Sequence, residues 1–438
     1  MKRLFVSAGL AALGVASFQF AHADPQTDII PAKFWNVSGT LRGFYDDNYN
    51  VGANKKGSAG FEVSPSVSVN VPLQQTDFGL RYTYGAYYYQ QRQDLNLDPF
   101  DQTHQVDFWL DHSFNERWKA NVNDTFVVGQ EPDLLENNPT TGEATQIRVN
   151  GNNMANHGSF NLDTDWTRLF STSLYYNNGF YDYENSGATE DSFLAGGTGA
   201  SRAGLLNRIE QKAGLDLQWH LNPETMVFVG YALSFANYTA DEPIAINPAF
   251  SKGFNYSSDR DYYSHYGYVG ISRQFTPNLT ATLRGGASYT DSYNDPLSSA
   301  SVSPYADVSA SYTYLPGSYV QIGFTHDINS TDQVTPDAQG GITDYAASSV
   351  GYMSINHRIT KKLIGTVIGR CQYSTYQGGI ADSETSTDYG LGFNLHYDIN
   401  QHFGVEVGYN YDHLTSDKNV SDGSYERNRV YLGLMASY

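Results

Sequence analysis

The last ten residues of the chain, Arg429-Val-Tyr-Leu-Gly-Leu-Met-Ala-Ser-Tyr438, alternate between apolar side chains and mostly polar or small ones. Successive side chains of a β-strand point to opposite faces, so this alternation sorts the stretch into two surfaces. The apolar surface is formed by Val430, Leu432, Leu434, Ala436 and Tyr438. A strand that is apolar on one side and polar on the other is typical of a closed barrel that faces lipid outside and water inside.

Seventeen further stretches alternate in the same way, and each is roughly 9 to 16 residues long. Strands of soluble sheets usually have ~5–6 residues, whereas a tilted strand that crosses a bilayer needs ~9–11. The connections are alternately very short and long, and Leu221-Asn-Pro-Glu224 and Thr276-Pro-Asn278 are two of the short ones. This asymmetry predicts an all-β fold: a single transmembrane antiparallel β-barrel of about 18 strands, with short periplasmic turns and long extracellular loops.

The N-terminus has the pattern of a secretory signal. Lys2 and Arg3 precede the apolar run from Leu4 to Phe20, and Ala21-His22-Ala23 matches the small-residue cleavage pattern. An exported barrel belongs in the outer membrane of a Gram-negative (diderm) bacterium, which is the location that we predict. The predicted segments are a signal peptide at 1–23, a short periplasmic N-terminal segment at 24–33 and the transmembrane β-barrel at 34–438.

Composition and motifs exclude several classes of function. The formal net charge is −20, with 26 basic and 46 acidic residues. Nucleic acid requires basic surface, so we expect no nucleic-acid partner. The single Cys371 excludes an internal disulfide framework. The sequence has no phosphate-binding loop, zinc-binding or calcium-binding motif and no nucleophile elbow, so we predict no cofactor, no metal site and no enzymatic activity.

The polar faces of the predicted strands carry a mixed set of charges, with eight basic and eight acidic side chains. Such a face suits a wetted lumen, and barrels of about 16–18 strands are wide enough to leave an aqueous channel. The predicted pore-lining residues are Arg42, Arg81, Asp107, Arg208, Glu210, Lys212, Arg284, Asp307, Arg370, Glu406 and Arg429.

The longest connection, at about residues 130–155, begins with Gln130-Glu-Pro-Asp-Leu-Leu-Glu136. One hypothesis is that it folds inward and narrows the pore, which places Glu131, Asp133 and Glu136 opposite the basic wall residues. The alternative is a solvated surface loop. The sequence favours neither interpretation.

Two local features depart from the simple pattern. His157 and Ser159 share one strand face, as a base and its nucleophile must, and they resemble the His-x-Ser pairs of outer-membrane phospholipases and lipid A deacylases. Their parity is opposite to that of Phe160 and Leu162, however, so they face the lumen rather than a lipid substrate. Asp124 has outward parity in the fifth strand, where a charge in lipid is costly, and we expect a β-bulge nearby.

The chain resembles the β-barrel porin type 2 family of bacterial outer-membrane proteins. The resemblance rests on Leu80-Arg-Tyr-Thr-Tyr84 through Asp107, on Phe126-Val-Val-Gly-Gln-Glu-Pro132 and on Arg427-Asn-Arg-Val-Tyr-Leu-Gly-Leu434. It implies a barrel whose terminal aromatic residue, here Tyr438 where Phe is commoner, is read by the barrel-assembly machinery. Some relatives are associated with exopolysaccharide export, so the resemblance also implies an export channel as a rival function.

We therefore expect an outer-membrane, porin-like channel for small hydrophilic solutes. The alternatives are an export barrel for exopolysaccharide and a structural or adhesive barrel whose lumen is blocked. The expected partners are outer-membrane lipid and lipopolysaccharide, the barrel-assembly machinery, which contacts the C-terminal strand, and the transported solutes or polysaccharide.

Overall fold

The computed structural model describes residues 34–52, 54–129, 153–184, 187–190, 200–247, 253–295, 297, 300–334, 336–417 and 424–438. Within these residues, eighteen antiparallel strands of 12 to 15 residues form one barrel. The first nine are β1 (Trp35–Asp46), β2 (Ser58–Pro72), β3 (Thr76–Tyr89), β4 (Phe100–Ser113), β5 (Trp118–Gly129), β6 (Asn153–Asp165), β7 (Phe170–Tyr183), β8 (Arg208–Asn222) and β9 (Thr225–Tyr238). After a two-stranded ribbon of β10 (Pro243–Ile246) and β11 (Phe254–Tyr256), the barrel continues with β12 (Tyr262–Thr276), β13 (Leu279–Asp291), β14 (Ser301–Leu315), β15 (Ser318–Asn329), β16 (Tyr345–Arg358), β17 (Leu363–Gln377), β18 (Thr385–Asp398), β19 (Phe403–Ser416) and β20 (Tyr425–Ser437).

The barrel closes between its first and last strands. β1 pairs with β20 from Ser38 opposite Ser437 to Asp46 opposite Arg429, and β9 pairs with β12 across the ribbon. Every barrel strand therefore has two neighbours and the sheet has no free edge. Closure matters because a bilayer offers no water to unpaired backbone groups.

The two ends of the barrel differ in their connections. All eight turns at the end where β1 begins have four residues or fewer, and this is the periplasmic end. The other end carries the longer loops, which contain α1 (Gln90–Asp94), α2 (Arg202–Leu206) and a 3-10 helix (Ser257–Arg260). None of the helices in the described ranges is long and apolar enough to span a membrane.

The outer surface is apolar because alternate residues of each strand point away from the barrel. Val302 is 72% exposed and Leu432 is 67% exposed. Histidine–tyrosine hydrogen bonds join neighbouring strands on this surface: Tyr82 with His104 at 2.8 Å and Tyr231 with His265 at 2.6 Å. These amphipathic rings suit the boundary between hydrocarbon and water.

The structure confirms the predicted fold class and the count of eighteen strands, and the strand ends differ from the predicted ones by a few residues. The expected β-bulge near Asp124 is wrong. The ladder runs without a register shift from Phe108 through Asp124 to Gly158. Asp124 therefore stays on the lipid-facing side, where Asn156 donates a hydrogen bond of 2.9 Å to its carboxylate.

Leu432 tests the assignment of faces in the closing strand. We expect Leu432→Arg to lower the free energy of unfolding by about 2–4 kcal/mol, because it places a charge in hydrocarbon. Met435→Arg, three residues away on the inner face of β20, is the matched control and should change stability much less. Denaturant unfolding in lipid vesicles measures both, and equal losses would contradict the assignment.

Candidate functional site: the barrel lumen

The predicted pore-lining residues lie on the inner face of the barrel, and most of them form ion pairs with a residue of opposite charge on that face. Near the closing seam, the Arg42 guanidinium lies 2.6 Å from Glu406 and 3.2 Å from Glu62. Arg429 approaches Glu62 at 3.7 Å. The charges are thus neutralised locally, so this wall is polar without a strong field of one sign.

The remaining predicted pore-lining residues follow the same rule. Further pairs of opposite charge, or of a guanidinium with an amide, are Arg81–Asp107 at 2.9 Å, Arg208–Glu210 at 2.7 Å, Lys212–Asp327 at 2.9 Å, Arg284–Asp307 at 3.4 Å and Arg370–Gln372 at 2.6 Å. Burial differs between the two sides of the lumen. Arg81 on β3 is 27% exposed, whereas Arg284 on β13 and Asp216 on β8 are almost completely buried.

Aromatic side chains fill the inner wall between β7 and β14. The hydroxyl groups of Tyr175 and Tyr268 lie 3.0 Å apart, and the Tyr268 hydroxyl donates to Asp216 at 2.6 Å. Tyr266 and Tyr305 meet edge to face at 5.3 Å between ring centroids. These rings form one buried cluster with Phe228, so this side of the lumen is packed with side chains.

Each of several inner-wall aromatic rings lies over a glycine that is its direct partner on the next strand. A Cβ atom built on Gly230 would lie 2.2 Å from the Tyr268 ring, and one on Gly270 would lie 2.2 Å from the Phe228 ring. The other such pairs are Gly79 with Trp109, Gly214 with Tyr175, Gly323 with Tyr352 and Gly408 with Tyr431. The missing side chain lets each ring lie flat along the wall instead of projecting into the lumen.

One ion pair crosses the lumen. Lys212 on β8 and Asp327 on β15 are 2.9 Å apart, although four strands separate β8 from β15 in the wall. Five steps of about 4.8 Å between strands give ~24 Å of wall, which these two side chains do not span along the wall. The pair therefore bridges the inside of the barrel, and the Lys212 ammonium also lies 3.8 Å from the centroid of the Tyr266 ring.

Loops at the extracellular end fold together above this bridge. We call them the mouth cluster, formed by residues 200–207, 239–247, 253–261, 330–334 and 336–344. The Arg260 guanidinium donates hydrogen bonds to the carbonyl oxygens of Leu205 and Thr331. The Asn247 amide donates one of 3.1 Å to the carbonyl oxygen of Gly340. Ile342 is 1% exposed, within a small apolar cluster of these loops.

The mouth cluster is anchored to the inner wall. The Ser330 hydroxyl donates to Glu210 on β8 at 2.7 Å and lies 3.3 Å from the Tyr262 hydroxyl on β12.

Burial in the mouth cluster raises the pKa of the Asp261 carboxyl. The hydrogen bond that the backbone amide of Tyr238 donates to this carboxyl acts in the opposite direction and lowers the pKa. The folded loops therefore hold the Asp261 proton more tightly than an unfolded chain, and the corresponding stabilisation is lost as the pH rises through the folded pKa.

Two sequence-based hypotheses have different outcomes. The proposed constriction residues Glu131, Asp133 and Glu136 lie outside the described residues. His157 and Ser159 point inward as their parity predicts, but the His157 ring packs against Tyr181 at 5.3 Å. The Ser159 hydroxyl is buried and has no hydrogen-bond partner among the described residues, so this pair is not assembled as nucleophile and base.

Sequence reasoning missed the glycine–aromatic pairs and the mouth cluster. The pairs have a sequence signal, because inner-face glycines recur on strands next to inner-face aromatic residues. Using that signal requires the register between strands. The mouth cluster has only a weak signal in the sequence. Asn247 and Arg260 are polar loop residues like many others, and the structure shows that they are almost completely buried.

A closed 18-strand barrel with an apolar outside, a polar inside and short turns at one end defines an outer-membrane β-barrel channel. The family model described as "Putative beta-barrel porin 2" matches residues 36–438. The chain therefore belongs to this porin family and is a porin-like channel.

Solved structures of bacterial proteins resemble the chain at low sequence identity. Acinetobacter baumannii OccAB4 is 11% identical, with 92% of this chain and 98% of that chain covered and a TM-score of 0.40. Pseudomonas aeruginosa opdK is 10% identical, with 92% and 99% covered and a TM-score of 0.41. P. aeruginosa OccK2 (OpdF), solved in complex with glucuronate, is 10% identical, with 92% and 98% covered and a TM-score of 0.40. No curated protein matches the chain.

The glycine–aromatic pairs predict opposite outcomes for two glycines of β12. Gly270→Val places a side chain where the Phe228 ring lies, so we expect a loss of about 1–3 kcal/mol in the free energy of unfolding. Gly267→Val is the matched control, because a Cβ at Gly267 meets nothing within 4 Å. Unfolding of both variants in detergent is the measurement, and a tolerated Gly270→Val would show that the ring does not need the space.

Proposed function

We propose that the protein lets small hydrophilic solutes diffuse across the outer membrane of a Gram-negative bacterium through a water-filled passage in the barrel. The observation that carries this proposal is the inner wall itself, where charged and hydroxyl groups are paired around a closed lumen. Such a wall is favourable in contact with water and unfavourable in contact with hydrocarbon.

We further propose that the passage follows the wall formed by β2 to β5. The inner face between β7 and β14 is filled by the tyrosine cluster, whereas Asp111 on β4 is exposed and Arg81 remains partly exposed. Lys119, Asn121 and Asn123 continue this wetter surface along β5. Solutes would thus meet amides and charges of both signs, which favours weak selectivity among small polar molecules.

Small solutes fit this lumen better than a polymer does. An exopolysaccharide chain needs a wide path, and the mouth cluster and the Lys212–Asp327 bridge occupy part of the lumen beside the proposed passage and narrow it. The observations therefore favour a diffusion channel over an export barrel. We also propose that residues 1–23 are a cleaved signal peptide, that residues 24–33 lie in the periplasm and that the C-terminal strand contacts the barrel-assembly machinery, with lipopolysaccharide around the outer rim.

Liposome swelling with sugars of graded size tests the channel. Proteoliposomes that contain the purified barrel should swell with small sugars, at rates that fall steeply as the sugar becomes larger. Equal rates for monosaccharides and long oligosaccharides would favour an export path. No flux of any sugar or ion would leave a structural or adhesive barrel.

Lys212→Met tests whether the ion pair across the lumen limits the passage. Removal of the ammonium frees Asp327 from its partner and leaves a negative charge in the lumen. We expect a higher single-channel conductance and a shift of selectivity toward cations. Lys55→Met, at an exposed loop position that pairs with Asp47, is the control. Unchanged conductance and selectivity in Lys212→Met would place the bridge away from the conducting path.

A further inference from the structure

One aromatic ring lies on the wall of the proposed passage. Trp109 is on the inner face of β4, between Asp107 and Asp111, and it is partly exposed. Its indole ring packs over Gly79 on β3, its direct ladder partner, where a Cβ atom would overlap the ring. Within the described residues, no second aromatic ring packs against it. One face of the indole therefore lies on the wall, and the other is left toward the lumen.

Polar side chains of the inner wall surround this ring. We call them, together with Trp109, the indole patch: Asn70 on β2, Asp77 on β3, Asp111 on β4 and Asn121 on β5. Asn70 is the direct partner of Gly79. The other three are consecutive partners in the next row of the ladder toward the periplasm. Three steps of about 4.8 Å between strands give ~15 Å across the wall, which a short oligosaccharide can span.

Several hydrogen-bonding groups of the indole patch are unsatisfied. The Oδ1 atoms of Asn70 and Asp77 and the Nε1–H group of Trp109 are buried and have no partner in the described part of the chain. Asn161, the partner of Asn121 on β6, is only 4% exposed, and its Oδ1 atom is also unpartnered. Buried polar groups are costly unless water or a ligand completes their hydrogen bonds.

The unsatisfied groups include acceptors and a donor, which narrows the chemistry of the ligand. An ammonium group only donates hydrogen bonds and a carboxylate only accepts them, whereas a hydroxyl group does both. The indole adds an apolar face, on which the C–H groups of a pyranose ring can pack. A molecule that combines several hydroxyl groups with an apolar C–H face is a sugar.

The charge of the indole patch disfavours an anionic sugar. Asp77 and Asp111 are direct partners, and neither carboxylate forms an ion pair with a described residue. The basic side chains on either side of the patch, Arg81 and Lys119, lie beside other carboxylates. A ligand with its own carboxylate would therefore be repelled, and a neutral sugar would not.

We propose that the indole patch is a binding site for neutral sugars. This inference rests on the passage proposed above and names the class of solute that the passage favours. The sugar packs its C–H face on Trp109, and its hydroxyl groups donate to Asp77 and Asp111 and accept from the indole Nε1–H. Asn121 is held in place beside them, because it donates to Asp111 at 2.5 Å and accepts from Asn123 at 2.7 Å. Binding is weak enough for the solute to leave again, as passage requires.

Block of the single-channel current by sugars tests the site. In planar bilayers, glucose should reduce the current of the unchanged protein in a saturable way, because a bound sugar occupies part of the passage. Glucuronate, the anionic counterpart of glucose, should need a several-fold higher concentration for the same block, since it meets the carboxylates of Asp77 and Asp111.

Two variants of Trp109 and one control separate binding from packing. Trp109→Leu removes the aromatic face and should raise the half-blocking concentration of glucose about five- to tenfold. Trp109→Phe keeps an aromatic face and loses the Nε1–H group, so the rise should be smaller. Tyr352→Leu is the matched control, because Tyr352 also packs over its partner glycine, Gly323, but lies on β16 away from the patch. It should leave the half-blocking concentration unchanged.

Tryptophan fluorescence gives a second measurement that does not need a conducting channel. Glucose should change the emission of the unchanged protein in detergent, and this change should be absent in Trp109→Leu. The other tryptophans remain in that variant and report any effect of glucose outside the patch. The conductance of each variant in salt alone shows that its barrel is folded.

Three results would overturn the proposal. The first is a current that glucose reduces without saturation, together with unchanged emission, which would leave the patch to water. The second is an equal half-blocking concentration in the unchanged protein and in Trp109→Leu. The third is glucuronate that blocks as effectively as glucose. If the protein conducts no ions at all, the channel itself is refuted, and the fluorescence titration still decides whether the patch binds sugar.

Discussion

The pairing of β1 with β20 is the constraint from which the rest of the structure follows. Backbone amide and carbonyl groups in hydrocarbon need partners within the protein, and a sheet provides them for every strand only when it closes. Closure fixes the direction of every side chain, because residues alternate between lipid and lumen along each strand. The apolar exterior, the polar interior and the contrast between short turns and long loops are consequences of this one ring of hydrogen bonds.

Inside the ring, the volume is divided between wall and passage. An 18-strand barrel is wide, and its inner face must be filled or wetted. The glycine–aromatic pairs fill part of this volume. A ring such as Tyr268 packs against the bare backbone of Gly230, and its hydroxyl group still donates a hydrogen bond to Asp216. The ion pairs neutralise the charges of the inner face. At the closing seam, for example, Arg42 and Arg429 both lie close to Glu62. Packing is concentrated on one side, which leaves the more exposed polar wall of β2 to β5 as the candidate path.

Sequence alone predicted the elements that depend on local periodicity. The alternation at Val430, Leu432 and Leu434 gave the strand and its lipid face, and the same rule placed Arg42 and Asp107 inside. Contacts between distant segments were not predictable in this way. The bridge from Lys212 to Asp327 depends on the curvature of the wall, and the burial of Ile342 depends on three loops meeting. The bulge expected at Asp124 was wrong because the parity rule was treated as inviolable, whereas the ladder there is regular.

The same rule of desolvation applies on both faces of the wall. Inside, the buried carboxylate of Asp107 accepts hydrogen bonds from Arg81, Gln105 and Thr125. Outside, Asp124 has Asn156 and an otherwise apolar surface. Asp124 keeps one side-chain hydrogen bond where Asp107 has three, and the regular ladder fixes it on the lipid-facing side.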